Sequence, residues 1–415
     1  MNLPIVILGA GPAGLAAADA ASADGQAVVL LDENFAPGGQ IWRGGPAAWK
    51  DKRAERLWNS VRAREHVKVL CGARVVALAG PGKLLLDTGE GPLVLPWQRL
   101  ILCSGARELL LPFPGWTLPG ITGAGGLQAL IKGGMPVAGK RVVVAGSGPL
   151  LLAVADSVLR HGGVLAAIIE HRSTRELAGF GARLAWRHQG KLAQAVALLW
   201  LLRRVPYVRG ATVTEARGQS RVRSVVVKSA GGEMEYACDF AAVGFGLVPV
   251  LEGAALFGCA VTDGRVVVDE SQRTSIEGVW AAGEATGIGG VDKALAEGRI
   301  AGLASVGRSA SRSERNSATV ARSFARLLDQ RFGPTPEVRT ICTPATIVCR
   351  CEDVTAQELA PHDSWRAAKL QARVGMGPCQ GRVCRAACQF LYGWDGAGYR
   401  PPVFPVSVAT LASVE

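Results

Sequence analysis

Six residues near the start do most to limit what this chain can become: Gly9-Ala10-Gly11-Pro12-Ala13-Gly14 follow directly on the apolar run Ile5 to Leu8. Glycines at this spacing, between a strand and a helix of small residues, have a physical logic. The first permits a tight turn, the second lets a pyrophosphate approach the backbone, and the third lets the helix, expected over Pro12 to Ala23, pack on the strand. The helix N-terminus, entered at Pro12 and Ala13, then faces the phosphates. A second strand, expected over Ala27 to Leu31, ends in Asp32-Glu33; Glu33, nineteen residues after Gly14, is placed to accept from ribose hydroxyls, with Asp32 as the alternate.

The same order recurs. A strand over Arg141 to Ala145 is followed by Gly146-Ser147-Gly148-Pro149-Leu150-Leu151, a helix from Pro149 to His161, a strand over Val164 to Ile169, and Glu170. An internal duplication of a nucleotide-binding βαβ unit follows. Leu151 stands where the third glycine belongs and is expected to hold the helix away from the strand. Glu170 takes the place of a ribose-binding acid and disfavours a 2′-phosphate, with Arg172 and Arg175 near enough to counter it. An adenine nucleotide such as ADP, ATP or NAD is expected over Gly146, Gly148, Pro149, Leu150 and Glu170, without fast hydride delivery; a working NAD site is the alternative.

At 415 residues two or three domains are expected, and 49% hydrophobic residues with 53 glycines suit packed α/β layers. The longest apolar candidate, Ala195 to Leu202, is far short of the roughly 20 residues a bilayer span needs, so no transmembrane segment is expected. The N-terminus runs straight into the first strand with no secretory pattern, which points to the cytoplasm. The net charge of +12 is concentrated: twelve Arg or Lys and only Glu176 and Glu215 lie between His171 and Lys228. With no nucleic-acid motif, this segment argues against nucleic acid and for a docking or solvated face.

Of ten cysteines, Cys71, Cys103, Cys238 and Cys259 are scattered, whereas six crowd the last fifth. Among those, Cys349-Arg350-Cys351 and Cys379 with Cys384 arrive as C-x-C and C-x₄-C, with Gly375, Gly377 and Gly381 around the second pair. Thiolates are the soft anionic ligands that iron–sulfur clusters require, and glycine turns let backbone N–H groups face the sulfides. Structural zinc knuckles usually follow C-x₂₋₄-C, which makes zinc the alternative. Cys342 and Cys388 fall outside the pattern and read as packing residues. No redox C-x-x-C exists in the chain, which argues against disulfide reduction.

Further motifs carry a resemblance. Val279-Trp280-Ala281-Ala282-Gly283-Glu284 resembles the second FAD fingerprint of pyridine-nucleotide-disulfide-reductase-type flavoproteins, and Leu100 to Arg107, with Ser104-Gly105, resembles their middle motif. The resemblance implies that Gly283 and Glu284 hold the ribityl chain, with Glu one methylene longer than the family's usual Asp. Pro37-Gly38-Gly39-Gln40 would line the flavin ring, Gln40 as a hydrogen-bonding group. The cysteine pairs look like the bacterioferritin-associated-ferredoxin-like (BFD-like) [2Fe–2S] module. Phe113-Pro114-Gly115-Trp116-Thr117-Leu118-Pro119-Gly120-Ile121, with Gly123-Ala124-Gly125-Gly126-Leu127-Gln128, resembles the α subunits of heteromeric opine oxidases, hydrogen cyanide synthase and D-hydroxyproline or proline dehydrogenases.

The expected fold is therefore α/β: two Rossmann-like dinucleotide-binding domains of the glutathione/thioredoxin-reductase type plus a small α-helical [2Fe–2S] module. Residues 1–112 and 241–306 would form the FAD domain and 113–240 the second nucleotide domain. A linker and helix would span 307–340, with the cysteine module and tail over 341–415. Arg308 to Ser317, rich in Ser and Arg, reads as linker or frayed helix end. The family implies an electron-relay subunit with FAD and a [2Fe–2S] cluster on Cys349, Cys351, Cys379 and Cys384, while a flavoprotein β subunit oxidises an opine, D-hydroxyproline, proline or glycine-type substrate. A small ferredoxin-like γ subunit would complete the complex. No catalytic base is assigned here, peripheral membrane contact is allowed, and the rival enzyme is a stand-alone NAD(P)H-dependent ferredoxin or acceptor reductase. A third class is an iron–sulfur sensor or assembly scaffold on a flavin fold.

Overall fold

In the computed structural model, which describes residues 3–395 and 398–413, the chain divides into two compact units. One comprises Met1–Arg107, Val248–Leu327 and Gly398–Glu415, the other Glu108–Leu247 and Leu328–Ala397. The C-terminal tail, grouped by sequence with the cysteines, belongs to the first unit: Val403 N–H donates to Val76 O, and Thr410 Oγ1 to Asp87 Oδ1 at 2.8 Å.

Each unit is built to one plan, a five-stranded parallel sheet accompanied by a three-stranded antiparallel one. The first unit's parallel order is Val279–Ala281, Arg99–Leu102, Ile5–Leu8, Val28–Asp32, Val67–Cys71; its antiparallel strands are Ala73–Gly80, Lys83–Thr88 and Gly91–Pro96. The second unit's parallel order is Tyr207–Arg209, Val164–Glu170, Arg141–Gly146, Phe240–Gly244, Ile121–Thr122, with Ala211–Gly218, Val222–Ser229 and Gly232–Ala237 antiparallel. The duplication expected from the two glycine turns is thus a duplication of sheets.

Strand alternation divides the first core. Ile5 and Ile7 point to the helical side with Leu15, Ala17 and Ala301, whereas Val6 points to the other side with Leu84, Leu86 and Leu100. The Pro12–Ala21 and Val291–Ser305 helices approach closely because Gly298 and Gly302 lie against Ala13 and Ala17; a Cβ on Gly298 would sit 2.1 Å from the Ala13 carbonyl oxygen. In the second unit Leu151 is fully buried with Val142, Val144 and Ile168. It fills core space facing the sheet, and the helix there runs Leu150–Arg160. The Ser/Arg-rich stretch is not a linker throughout: one helix covers Arg312–Phe332, started by Ser311, whose N–H and Oγ exchange hydrogen bonds with Glu314.

The cysteine module is partly strand: Ile347–Cys349 pairs antiparallel with Val354–Thr355 before the Trp365–Ala372 and Cys384–Tyr392 helices. Its core gathers Val348, Cys349, Leu359, Trp365, Val374, Cys384 and Cys388, so Cys388 packs as expected, with Cys342 against the same cluster.

Candidate functional site

The first glycine turn is built around backbone contacts that exclude side chains. Gly9 has φ +104°, and a Cβ there would lie 2.3 Å from Cys103 O; one on Gly14 would lie 1.7 Å from Gly9 O. Gly11 is the N-cap of the Pro12–Ala21 helix, and no side chain caps it. Gly38 and Gly39 close the floor: Gly38 N–H donates to Ala10 O at 2.8 Å, and Gly39 lies against the Gly11 Cα. Gln40 is exposed and accepts from Arg43 at 3.0 Å.

The structure separates the two acids that sequence could not. Asp32 is buried and braces the turn, accepting from Ala10 N–H at 2.8 Å and from both the N–H and side chain of Asn34. Glu33 points outward, paired with Arg74 at 3.0 Å and half exposed. Ser104 Oγ donates to Val250 O at 2.7 Å, and Val250 N–H donates to Gly105 O, so this pair fixes the neighbouring chain segment.

Glu284, expected beside the ribityl chain, bonds to two backbone amides. Its Oε1 accepts from Gly290 N–H at 2.7 Å and its Oε2 from Gly289 N–H at 2.9 Å. The extra methylene over Asp carries the carboxylate to the N-terminal side of the Val291–Ser305 helix, and burial pushes its pKa up against those two hydrogen bonds. Beneath Gly283 lies a buried network that motif reading missed. Lys293 Nζ donates to Gly283 O, Thr286 Oγ1 and Glu297 Oε2 at 2.7, 2.8 and 2.7 Å, and Arg322 donates to Glu297 Oε1. The sequence signal was an i,i+4 Lys–Glu pair, Lys293 and Glu297, in an Ala- and Gly-rich helix.

The second turn repeats the glycine spacing but not the backbone: Gly11 has φ −75° and is the helix N-cap, whereas here Pro149 is the N-cap. Gly146 and Gly148 have φ of +140° and +92°. Glu170 is buried and accepts from Gly148 N–H and Arg172 N–H, each at 3.0 Å, so it braces this turn much as Asp32 braces the first. Burial raises its pKa. Phe332 lies on the turn: a Cβ on Gly148 would meet the Phe332 ring at 3.0 Å. The segment is tied down on both sides, by Phe180 edge-on to Phe332 at 4.8 Å between centroids, by Arg172 donating to Gly333 O, and by His171 Nε2 with Thr335 Oγ1 at 2.8 Å. Phe332 therefore lies against Gly148, beside the expected nucleotide position over Gly148, Pro149 and Leu150, because the chain returns across this turn after the Arg312–Phe332 helix.

Nearby, Glu108 accepts from Gly125 and Gly126 N–H, both at 2.7 Å, at the N-terminus of the Ala124–Lys132 helix, and burial raises its pKa. Trp116 explains the Phe-Pro-Gly-Trp segment: its Nε1 donates to Ile347 O at 2.6 Å, and Arg350 stacks over its ring, two contacts that hold the strand carrying Cys349. Gly115, at φ +78°, is required because a Cβ would meet Ala216 O at 2.0 Å.

The four cysteines come together as two pairs, Cys349 facing Cys384 and Cys351 facing Cys379. Cys349 is drawn down to about 5 by its hydrogen bond with Cys384, helped by N–H groups of Gly375, Cys351 and Glu352, while Cys384 is raised; the pair favours one thiolate. Gly377 is pressed on Cys351, where a Cβ would sit 2.3 Å from the cysteine's own Cβ. Among the described residues no three His, Cys, Asp or Glu side chains converge as a closed metal site. The donors present, soft thiols with backbone N–H groups aimed at sulfur, match cluster chemistry better than hard-cation chemistry.

An uncapped helix N-terminus above a glycine turn, with the Val279–Ala281 strand of the second fingerprint in the same sheet, defines the class: an FAD-dependent oxidoreductase. The pyridine nucleotide-disulphide oxidoreductase family model matches residues 3–298, and the chain belongs to that family. It is 32% identical to an opine oxidase subunit from Rhizobium meliloti (strain 1021), over 99% of this chain and 98% of that protein. It is 31% identical to hydrogen cyanide synthase subunit HcnB of Pseudomonas aeruginosa, over 98% and 97%. In fold it resembles L-proline dehydrogenase from P. horikoshii, with a TM-score of 0.71 at 19% identity over 99% of this chain and 79% of that one. No helix among the described residues is long and apolar enough to cross a membrane.

Proposed function

We propose that this chain is the electron-relay subunit of a heteromeric amino-acid dehydrogenase or oxidase, with FAD at the first turn and a [2Fe–2S] cluster on Cys349, Cys351, Cys379 and Cys384. Its relatives named as subunits match over almost their full length, which supports partner chains here; a catalytic flavoprotein β subunit and a small ferredoxin-like γ subunit are the partners this reading assigns. The observation that carries the reading is Phe332 on Gly148. A closed second turn gives a nicotinamide donor no seat, so electrons would enter from another protein; the stand-alone NAD(P)H reductase is the weaker reading.

The chain's own residues would divide the work. The free amides at Gly11 and the start of the Pro12–Ala21 helix would bind pyrophosphate, and Glu33 a ribose. Gly283, held from below by Lys293, would fix the position of the ribityl chain, with Glu284 holding the Gly289-Gly290 turn beside it. Trp116 and Arg350 would keep the Cys349 strand in place. Bound FAD would supply two-electron chemistry and the cluster one-electron transfer.

The test is anaerobic purification with and without the co-purifying chains. Flavin, iron and acid-labile sulfide are expected in this chain alone, and amino-acid turnover only in the complex. Zinc without sulfide would remove the cluster, and turnover by the isolated chain would remove the division of labour.

A further inference from the structure

The second unit carries a surface that neither the flavin nor the cysteine chemistry uses. The Thr174–Arg187 helix ends in Trp186, 82% exposed, and the Gln189–Leu201 helix presents Val196, Leu199, Trp200 and Leu201, with Trp200 65% exposed. The second helix has no fully buried residue. Leu198 and Leu202 tuck inward against the core, four residues apart, whereas Ala193, Val196, Trp200 and Arg203 share the opposite face by their three- and four-residue spacing. A helix with apolar residues on its outward face as well as its inward one needs a second apolar phase to cover it.

The charge around that face identifies the phase. Between Glu176 and Glu215 there is no acidic residue, while Arg183, Arg187, Lys191, Arg203, Arg204 and Arg209 are all basic. Each exposed tryptophan has an arginine laid over its ring, Arg187 on Trp186 at 5.7 Å and Arg203 on Trp200 at 4.0 Å. Protein interfaces also favour Trp and Arg, but a protein partner would be met by both signs of charge at the rim. One sign of charge, beside indole rings at the edge of an apolar helix, suits the headgroup region of a bilayer, where rings sit at the boundary and guanidinium groups reach anionic lipid.

We propose that the outer face of these two helices docks the protein on an anionic lipid surface, lying in the interface without crossing it. The partner is the bilayer surface itself. The proposal does not depend on which electron donor or acceptor the chain uses.

Vesicle sedimentation with the full chain tests it, using phosphatidylcholine alone and phosphatidylcholine with about 30% phosphatidylglycerol. Binding to the anionic vesicles is expected to be about tenfold tighter or more, and to fall away in about 1 M salt, where screening shortens to roughly 3 Å. The Trp186→Ala/Trp200→Ala variant should lose about tenfold on the anionic vesicles with an unchanged melting temperature, since both rings are exposed. The Arg203→Glu/Arg204→Glu variant should lose the preference for anionic lipid. Equal binding to both vesicles, no binding to either, or variants that bind like the parent would overturn the proposal. So would hydrogen-exchange protection of residues 186–204 by a co-purifying polypeptide in a chain that ignores lipid, which would assign the face to a protein.

Discussion

The two glycine turns share a sheet plan and a bracing acid, and they differ in the torsion of the second glycine and in what lies against it. Against Gly11 lies Gly39, a residue without a side chain, and the helix N-terminus has no side-chain cap. Over Gly148 the neighbour is the ring of Phe332, fixed by Phe180, Arg172 and His171. A phosphate-binding motif specifies the direction of a few N–H groups; a phosphate site also needs the volume in front of them. At the first turn the neighbour is a glycine Cα and at the second it is a phenyl ring.

The largest effect that would sharpen this contrast comes from Gly14→Ala. With a Cβ 1.7 Å from Gly9 O, backbone must move, and a loss of about 3 kcal/mol in urea unfolding is expected together with most of the bound flavin. Gly148→Ala should leave flavin content unchanged, and equal flavin loss from both would break the comparison. Next comes Asp32→Ala, which orphans the buried Ala10 N–H and should cost about 2 kcal/mol. Glu33→Ala should change stability by less than about 0.5 kcal/mol yet weaken FAD binding to the apoprotein about tenfold, as calorimetric titration would show.

A smaller effect is a gain. Phe332→Ala removes the ceiling of the second turn, so ADP or NAD should bind at least about tenfold more tightly to the variant than to the parent in equilibrium dialysis. Rapid flavin reduction by NADH in the parent protein would mean the ring does not close the turn.

The smallest effect is a pH slope. Burial raises the Glu170 carboxyl above its usual 4.5, so the folded chain holds this proton to higher pH than the unfolded chain does. Its contribution is therefore most favourable at or below pH 4.5 and declines as pH rises through the folded value. Glu170→Gln should flatten that decline, by about 1 kcal/mol or less, in denaturant midpoints measured across the range. An unchanged slope would mean Glu170 is ionised at no cost, as a bracing group in a wet, open turn would be.

Local pattern was enough for much of the fold. Ile5–Leu8 forms a strand over the residues expected, and the second unit's strands extend one residue beyond their predicted ends, to Gly146 and Glu170. These elements are encoded by short-range alternation and by turns that only glycine can make. Other features were not readable because their cause lies far along the chain. Asp32 and Glu33 are adjacent carboxylates, and only the place where the strand ends, at Asp32, gives one to the turn and leaves the other to solvent. Leu151 looked like a misfit beside a glycine pattern, yet in the folded unit it is core. Glu284 looked like a slightly long Asp, but its extra reach finds Gly289 and Gly290.

What the sequence alone determined is the chemistry on offer: two strand-turn-helix units with phosphate-binding backbones, and two cysteine pairs with glycines around the second. Backbone torsions at glycine and ligand softness at sulfur are properties of the residues themselves, so they can be read without coordinates. What only the tertiary structure decided is what packs against each of them. Whether Gly148 faces a phosphate or a phenyl ring depends on where residue 332 lands, and whether Trp116 is a stray aromatic or a support for the Cys349 strand depends on the path of Ile347. Both contacts bridge more than 180 positions of sequence, a separation over which neighbours are set by how packed helices and sheets return the chain, and not by any local preference.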